Sequence, residues 1–270
     1  MFALTALMAA FAAPAAASPA PPAAGWQSVR SDAKCVLTLH VGDPAKDTSL
    51  AIHRTPGEDE IFVYLINTRW YYSPARHPSR VALSLEPGGS QATTAAWYSA
   101  ISFDREPGAA FVLQIEDRGF LDRLASAHAL VVKEGDRLLA SFDLPLADKA
   151  VAALRACEND MLRRWNIDPA FWNGLRSGPI PTKPLVSYVS DQDFPSNPRR
   201  TSGKSVVKLT VDATGKAVEC TVLRSSGNAS FESSTCRMFV TRPRFRPAID
   251  GNGNPVPAPY IMMSWLVGGI

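Results

Sequence analysis

Residues 205–223 read SVVKLTVDATGKAVECTVL, and this stretch decides the fold of the C-terminal part. Val207, Leu209 and Val211 alternate with Val206, Lys208 and Thr210, the period-2 pattern of a strand. The tetrad Asp212-Ala-Thr-Gly215 is a hairpin turn, with glycine available for a positive φ. The return strand, 217–223, sets Val218, Cys220 and Val222 on one face and Glu219 and Thr221 on the other. Ser225-Ser226-Gly227 ends it, and Ser230 is expected to cap a helix whose inward residues are Phe231, Thr235, Met238 and Phe239, with Glu232 in its first turn. Cys236 lies on or beside that inward face. A helix packed on the hairpin therefore brings it to Cys220, and a disulfide is expected. Closing a loop of this size stabilises by about 3 kcal/mol in the chain-entropy model. A Pro/Gly-rich loop, 243–259, leads to a last strand, 260–267, in which Ile261, Met263, Trp265 and Val267 share an inward face while Met262 and Ser264 point outward.

Working outward, further signals line up with this core. Asp193-Phe194-Pro195 precedes the hairpin; Arg244-Phe245-Arg246-Pro247-Ala248 and Gly253-x-Pro255 follow the helix. With the Asp-x-x-Gly turn, the Ser-Ser-Gly run and the final strand, these features stand in the order and spacing of the TonB C-terminal domain family, which residues ~190–269 resemble. The resemblance implies an α+β domain of three antiparallel strands with helices on one face. It also implies capture of an extended segment of an outer-membrane receptor by strand addition. Carried onto this sequence, the recognition edge is the last strand, with Tyr260, Ile261, Met262, Met263 and Ser264 as peptide-binding positions and Phe194 and Pro195 nearby. The sequence departs from an energy-transducing TonB in lacking a long Pro/Lys-rich arm: the Pro/Ala spacer 18–25 reaches only about 25 Å at ~3.1 Å per residue.

Ahead of this domain, Ser177-Gly-Pro-Ile-Pro-Thr-Lys-Pro184 carries three prolines and is expected to hold no regular element. Residues 161–190 are read as a linker with a short helix around Trp165, Phe171 and Trp172, and 191–270 as the C-terminal domain. Residues 25–160 read as a separate α+β domain. Strand-like runs stand at 36–41, 50–54, 61–66, 80–85 and 110–115, a helix at 117–127, and a hairpin, 129–132 with 138–142, around Gly135-Asp136. A closing helix is expected to start at the N-cap Asp143, with Leu146, Ala150, Leu154 and Cys157 on its buried stripe. Cys35, just ahead of the first strand run, and Cys157 then bracket the domain, and a bridge between them is expected.

The leader differs in kind. No charge occurs from Phe2 to Ala17, and the run ends in Ala15-Ala16-Ala17, a small-residue processing site. Residues 1–17 are read as a cleaved signal peptide and the protein as periplasmic; the alternative is an uncleaved inner-membrane anchor, against which Pro14 and the short apolar run argue. Four cysteines, none in a C-x-x-C pair, suit an exported chain in an oxidising compartment.

A net charge of +3 over 270 residues gives no case for a nucleic-acid partner. No P-loop, dinucleotide fingerprint, G-x-S-x-G elbow or H-E-x-x-H pair is present. His40 and His53 fall on neighbouring strands, the one pair that could share a metal; Asp191 and Asp193 read as turn caps, and Trp70-Tyr71-Tyr72 as a core edge and turn. Arg199, Arg200, Arg242, Arg244 and Arg246 form a basic set suited to anionic envelope lipid. The reading is of a non-enzymatic binding module without cofactor or metal, engaging a protein of the cell envelope. The alternatives are a membrane-anchored TonB-type transducer, or an N-terminal ligand-binding or enzymatic domain targeted by the C-terminal module.

Overall fold

The computed structural model describes residues 25–31, 33–40, 48–58, 60–67, 79–88, 90–103, 106–190 and 203–266. The leader and its cleavage site, Trp70-Tyr71-Tyr72, Asp191, Asp193, Phe194, Pro195, Arg199 and Arg200 lie outside these residues.

In chain order the elements are β1 (Trp26–Arg30), β2 (Cys35–His40), β3 (Ser49–Arg54), β4 (Ile61–Asn67), β5 (Ser79–Glu86), β6 (Ser90–Phe103), β7 (Glu106–Ile115), α1 (Phe120–Ser126), β8 (Ala129–Glu134), β9 (Arg137–Asp143) and α2 (Ala147–Arg164). There follow α3 (Pro169–Gly174), β10 (Ile180–Pro181), β11 (Gly203–Val211), β12 (Ala217–Arg224), α4 (Ala229–Thr241), β13 (Phe245–Arg246), β14 (Ala248–Ile249), β15 (Pro255–Val256) and β16 (Ala258–Leu266). The fold class is α+β, as expected. Strands β1–β9 form one antiparallel sheet in the order β1-β2-β3-β4-β7-β6-β5-β8-β9, and β12-β11-β16 form a second.

Two strands of the large sheet were not legible in the sequence. β1 carries only Trp26 and Val29 as apolar residues, and Val29 is exposed; it is pinned instead by Trp26, whose Nε1 donates to the Pro145 carbonyl at 2.7 Å. β6, SQATTAAWYSAISF, is dominated by small and hydroxyl residues that give no alternation. Its identity comes from its partners, β5 on one side and β7 on the other.

The closing helix starts later than expected. Asp143 is the last residue of β9, because the Leu144 N–H still donates to the His128 carbonyl. Leu146, at φ 53°, stands at the N-cap of α2 and is exposed rather than part of the stripe. The buried face of α2 is Ala147, Ala150, Val151, Leu154, Cys157, Met161 and Leu162. It packs with α1 on one face of the sheet, and the Cys35–Cys157 bridge, 6.0 Å between Cα atoms, fastens it to the start of β2.

The proline-rich stretch does hold a minimal element. β10 pairs antiparallel with β13, and Ser177 bridges Ile249. Residues 176–182 therefore lie along the C-terminal part through backbone bonds such as Arg176 N–H to Ile249 O, 2.7 Å. The two sheets also share apolar packing. Val206, Ala248, Ala258 and Ile261 belong to the same buried cluster as Leu37, Ile52, Ile61 and Leu154, and the Lys208 ammonium donates to the Trp165 carbonyl at 3.0 Å.

Candidate functional site

One carboxylate builds the hairpin turn of the small sheet. Asp212 Oδ1 accepts from the backbone N–H of Thr214 (2.9 Å), the backbone N–H of Lys216 (3.0 Å) and the Thr214 hydroxyl (2.7 Å). These donors, the Thr214 hydroxyl first, hold the Asp212 carboxyl below its ordinary range. Gly215 follows at φ +82°, where a Cβ would lie 1.9 Å from the Phe245 carbonyl oxygen. Only glycine fits such an approach, and the Phe245 N–H uses it, donating to Gly215 O at 2.9 Å. The Arg-Phe-Arg-Pro-Ala run thus crosses the turn with Phe245 and Ala248 buried.

The helix is capped two residues earlier than expected: Asn228, not Ser230, accepts the Phe231 N–H at 3.0 Å. Glu232 reaches back to Ser225 Oγ (2.7 Å), Ser226 N–H (2.6 Å) and Ser226 Oγ (2.8 Å), which gives the Ser-Ser-Gly run a structural reason. Phe231, Thr235, Met238 and Phe239 are buried as expected. The Cys220–Cys236 bridge, 5.4 Å between Cα atoms, ties β12 to α4.

The two outer strands of the small sheet differ. β12 meets β11 with two register shifts that leave Val218 and Leu223 as bulged residues. Bulges of this kind twist an edge and interrupt its template. β16 meets β11 over nine successive pairs, from Gly203↔Leu266 to Val211↔Ala258, without a shift. Among the described residues β11 is its one neighbour in the sheet, so there β16 presents a regular edge on its other side.

The peptide-binding positions carried over from the family fall along this strand. Tyr260 packs on the α4 side, its ring 5.1 Å from that of Phe245. Ile261 is fully buried in the core shared with the large sheet, Met263 packs against that core, and Ser264 stands opposite Ser205. Met262 corrects the expectation that it points outward: it is 7% exposed, packed with Val207, Leu209 and Met238. Over residues 258–263 both faces of β16 are covered, by α4 on one side and the large-sheet core on the other.

A second cluster, unread in the sequence, sits beside β16. Thr55, Pro56 and Gly57, in the connection between β3 and β4, are buried, and a Cβ on Gly57 (φ +89°) would lie 2.5 Å from Ile261 Cγ1. Burial raises the carboxyl of Glu58 to about 7, reinforced by Glu60 and opposed by the Thr55 side chain, Lys34 and Arg54. Burial also raises the Tyr260 hydroxyl, with the charges of Glu58 and Glu60 adding to it. On β3, burial and then Lys34 lower His53 to about 4; its ring lies 4.1 Å from that of Tyr64. Pro56-Gly57 signals a turn, but no pattern within residues 55–60 says which strand the turn will touch.

His40 pairs with Ser49, its Nδ1 3.0 Å from Ser49 Oγ, whereas His53 stands opposite Val36, so the two histidines do not share a site. Among the described residues no group of His, Cys, Asp and Glu could hold a metal ion. Within the basic set, Arg242 donates to Tyr188 O (2.9 Å) and Arg244 to Pro243 O (3.0 Å), ties that fasten loops. Among the described residues no helix is long and apolar enough to cross a membrane.

The unbulged edge strand, the Asp-x-x-Gly turn crossed by residues 244–248 and the single helix on one face occur within one matched segment. Residues 196–265 match the family model for the Gram-negative bacterial TonB protein C-terminal. This segment is a TonB C-terminal domain. No curated protein and no solved structure matches the chain. The TonB C-terminal domain is a non-enzymatic interaction module of the Gram-negative envelope that binds outer-membrane receptors. It links this chain to TonB-dependent transport and to a protein partner in the envelope. The match begins after the large sheet, which it does not describe.

Proposed function

We propose that the chain is a periplasmic protein whose β16 edge accepts an extended segment of an outer-membrane receptor as an added strand. The observation that carries this reading is the contrast between the two edges: β12 is bulged twice, β16 is straight through nine pairs. A straight edge offers alternate N–H and C=O groups at even spacing, the requirement for β-augmentation. Backbone bonds along residues 260–264 supply affinity. Phe194 and Pro195, just ahead of the matched segment, are proposed as further contacts, and the basic residues Arg199, Arg200 and Arg246 as the side that meets anionic lipid.

In this reading residues 1–17 are a signal peptide removed on export, and 25–160 form a unit distinct from the 191–270 module, with 161–190 between them. The mature protein then begins near Ser18, and N-terminal sequencing of the native protein reads this directly. Recovery of the full-length chain from the inner membrane would instead support the anchored transducer.

Strand addition is tested with prolines at two successive positions, Met263→Pro and Ser264→Pro. Consecutive strand residues point their N–H groups to opposite sides, so one substitution removes a donor from the β11 ladder and the other a donor from the free edge. Binding of synthetic peptides copied from the periplasmic N-termini of outer-membrane receptors should fall in both. Folding, read by urea melts, should suffer in one only. A well-folded proline variant that binds such peptides as the parent does would overturn docking at this edge.

A further inference from the structure

Helix α2 carries a polar stripe beside its core stripe. Arg155, Glu158, Asn159 and Leu162 stand at i, i+3, i+4 and i+7, so they share a face. That face lines a cavity of about 490 Å³, whose other walls come from α1, α3, the end of β3 and the start of β4. The volume is that of a small-molecule site. Leu121, Leu162, Trp172 and Leu175, all buried, give it an apolar interior. Arg118 is fixed in the same wall: its guanidinium lies over the Trp172 ring, 5.5 Å from the centroid, and donates to the Leu175 carbonyl.

Three side-chain pairs join the walls. Arg54 of β3 meets Glu158 of α2 at 2.8 Å, with 12% and 11% of the two side chains exposed. Arg155 of α2 meets Asp122 of α1 at 2.6 Å, with 46% and 69% exposed. Asn173 Nδ2 of α3 donates to Asn159 Oδ1 of α2 at 3.2 Å. Exposure decides which ion pair can open. Breaking a buried pair strands a charge in the interior, so Arg54–Glu158 stays closed. An exposed pair is worth little, so Arg155 and Asp122 can part for a ligand.

The sign of the ligand follows from that opening. An anion that takes Arg155 still meets the Asp122 carboxylate, and a cation that takes Asp122 still meets Arg155. A ligand carrying both charges replaces one exposed pair with two. The amides add to each end, since an asparagine has two N–H donors and a carbonyl with two lone pairs. Beyond their mutual bond, Asn159 Nδ2 can donate to a carboxylate and Asn173 Oδ1 can accept from an ammonium.

We infer that this cavity binds a free α-amino acid with an apolar side chain. Arg155 and Asn159 hold its carboxylate, Asp122 and Asn173 hold its ammonium, and its side chain lies against Leu121, Leu162 and Leu175. The site gives the part of the chain ahead of the matched segment a ligand of its own, and it does not depend on strand addition. Its wall is continuous with the segment that borders the TonB C-terminal domain: Leu175 precedes Arg176, whose N–H donates to Ile249 O at 2.7 Å.

Isothermal titration calorimetry of the full chain at neutral pH and low salt tests the site, with leucine, methionine and phenylalanine as probes. At least one should bind saturably. Its analogues lacking the ammonium or the carboxylate (isocaproate and isoamylamine in the case of leucine) should bind at least about tenfold more weakly, because each forfeits a charge-assisted bond. Asp122→Asn and Arg155→Gln should weaken the amino acid by a similar factor and leave thermal melts unchanged, since both side chains are exposed. Saturable binding by none of the three probes would overturn the site. So would an analogue that binds as tightly as its amino acid, or undiminished binding by both variants. Should a variant melt early, the analogues on the parent protein decide.

Discussion

His53 and Glu58 are five residues apart and displaced in opposite directions, which makes the pH dependence of stability a sharp test of the β3–β4 region. His53 titrates at about 4 in the fold and near 6.5 when unfolded. Its neutral form is the one the fold accepts, so its contribution is complete above 6.5 and is lost as pH falls toward 4. Glu58 titrates at about 7 in the fold and near 4.5 when unfolded. Its protonated form is accepted, so its contribution is complete below 4.5 and is lost as pH rises through 7. At about 1.4 kcal/mol per pH unit, each is worth on the order of 3 kcal/mol across its window. Between pH 4.5 and 6.5 the two slopes have opposite sign and nearly cancel. Urea unfolding of the parent at pH 4.5, 5.5 and 6.5 should therefore give similar stabilities. Glu58→Gln should leave the histidine slope, losing stability toward acid; His53→Gln should leave the carboxyl slope, losing it toward neutrality. If both variants kept the parent's profile, neither group would be buried as described. Asp212, Glu232 and Asp250, all lowered by hydrogen bonds, add their own acid loss below this window and do not confuse it.

The two bridges close loops of different length, 16 and 122 residues in sequence separation, so their removal should cost about 3 and about 5 kcal/mol respectively in the chain-entropy model. Urea melts of the Cys220→Ala/Cys236→Ala and Cys35→Ala/Cys157→Ala variants measure this, and equal losses would contradict it. Gly215→Ala meets the Phe245 carbonyl at 1.9 Å and should release residues 244–248 from the turn. Weakened protection of the Phe245 amide in hydrogen exchange checks it, and full protection would refute the geometry.

The C-terminal hairpin was readable because its signals are local: alternation at 206–211, one turn tetrad, and a helix with four inward residues. The cysteine pairs followed from the same faces, and both bridges are present. What could not be read depended on distance. β6 has no hydrophobic period and is defined by its neighbours, while Leu146 takes the N-cap place expected of Asp143 because β9 runs one residue further than its pattern suggests. Alternation set Ile261, Met263, Trp265 and Val267 inward and so left Met262 outward, because a strand pattern names one buried face and not two. Here Met262 packs under α4 and it is the opposite face, that of Ile261, which the large sheet covers, through residues such as Ile52 and Ile61 that stand some 200 positions earlier. The Glu58 cluster was missed for the same reason: a turn sequence does not name the surface it will meet.

The straight register of β16 has a mechanical side. Bonds of an antiparallel ladder lie perpendicular to the strands, so a pull along β16 loads all its links to β11 together, in shear, instead of unzipping them one at a time. Ile261 and Met263 on one face and Tyr260 and Met262 on the other add anchors in two separate cores. Tension applied to this strand would thus be shared between the α4 side, clamped by Cys220–Cys236, and the large sheet, clamped by Cys35–Cys157. A strand held in this way can bear load along its axis without unzipping.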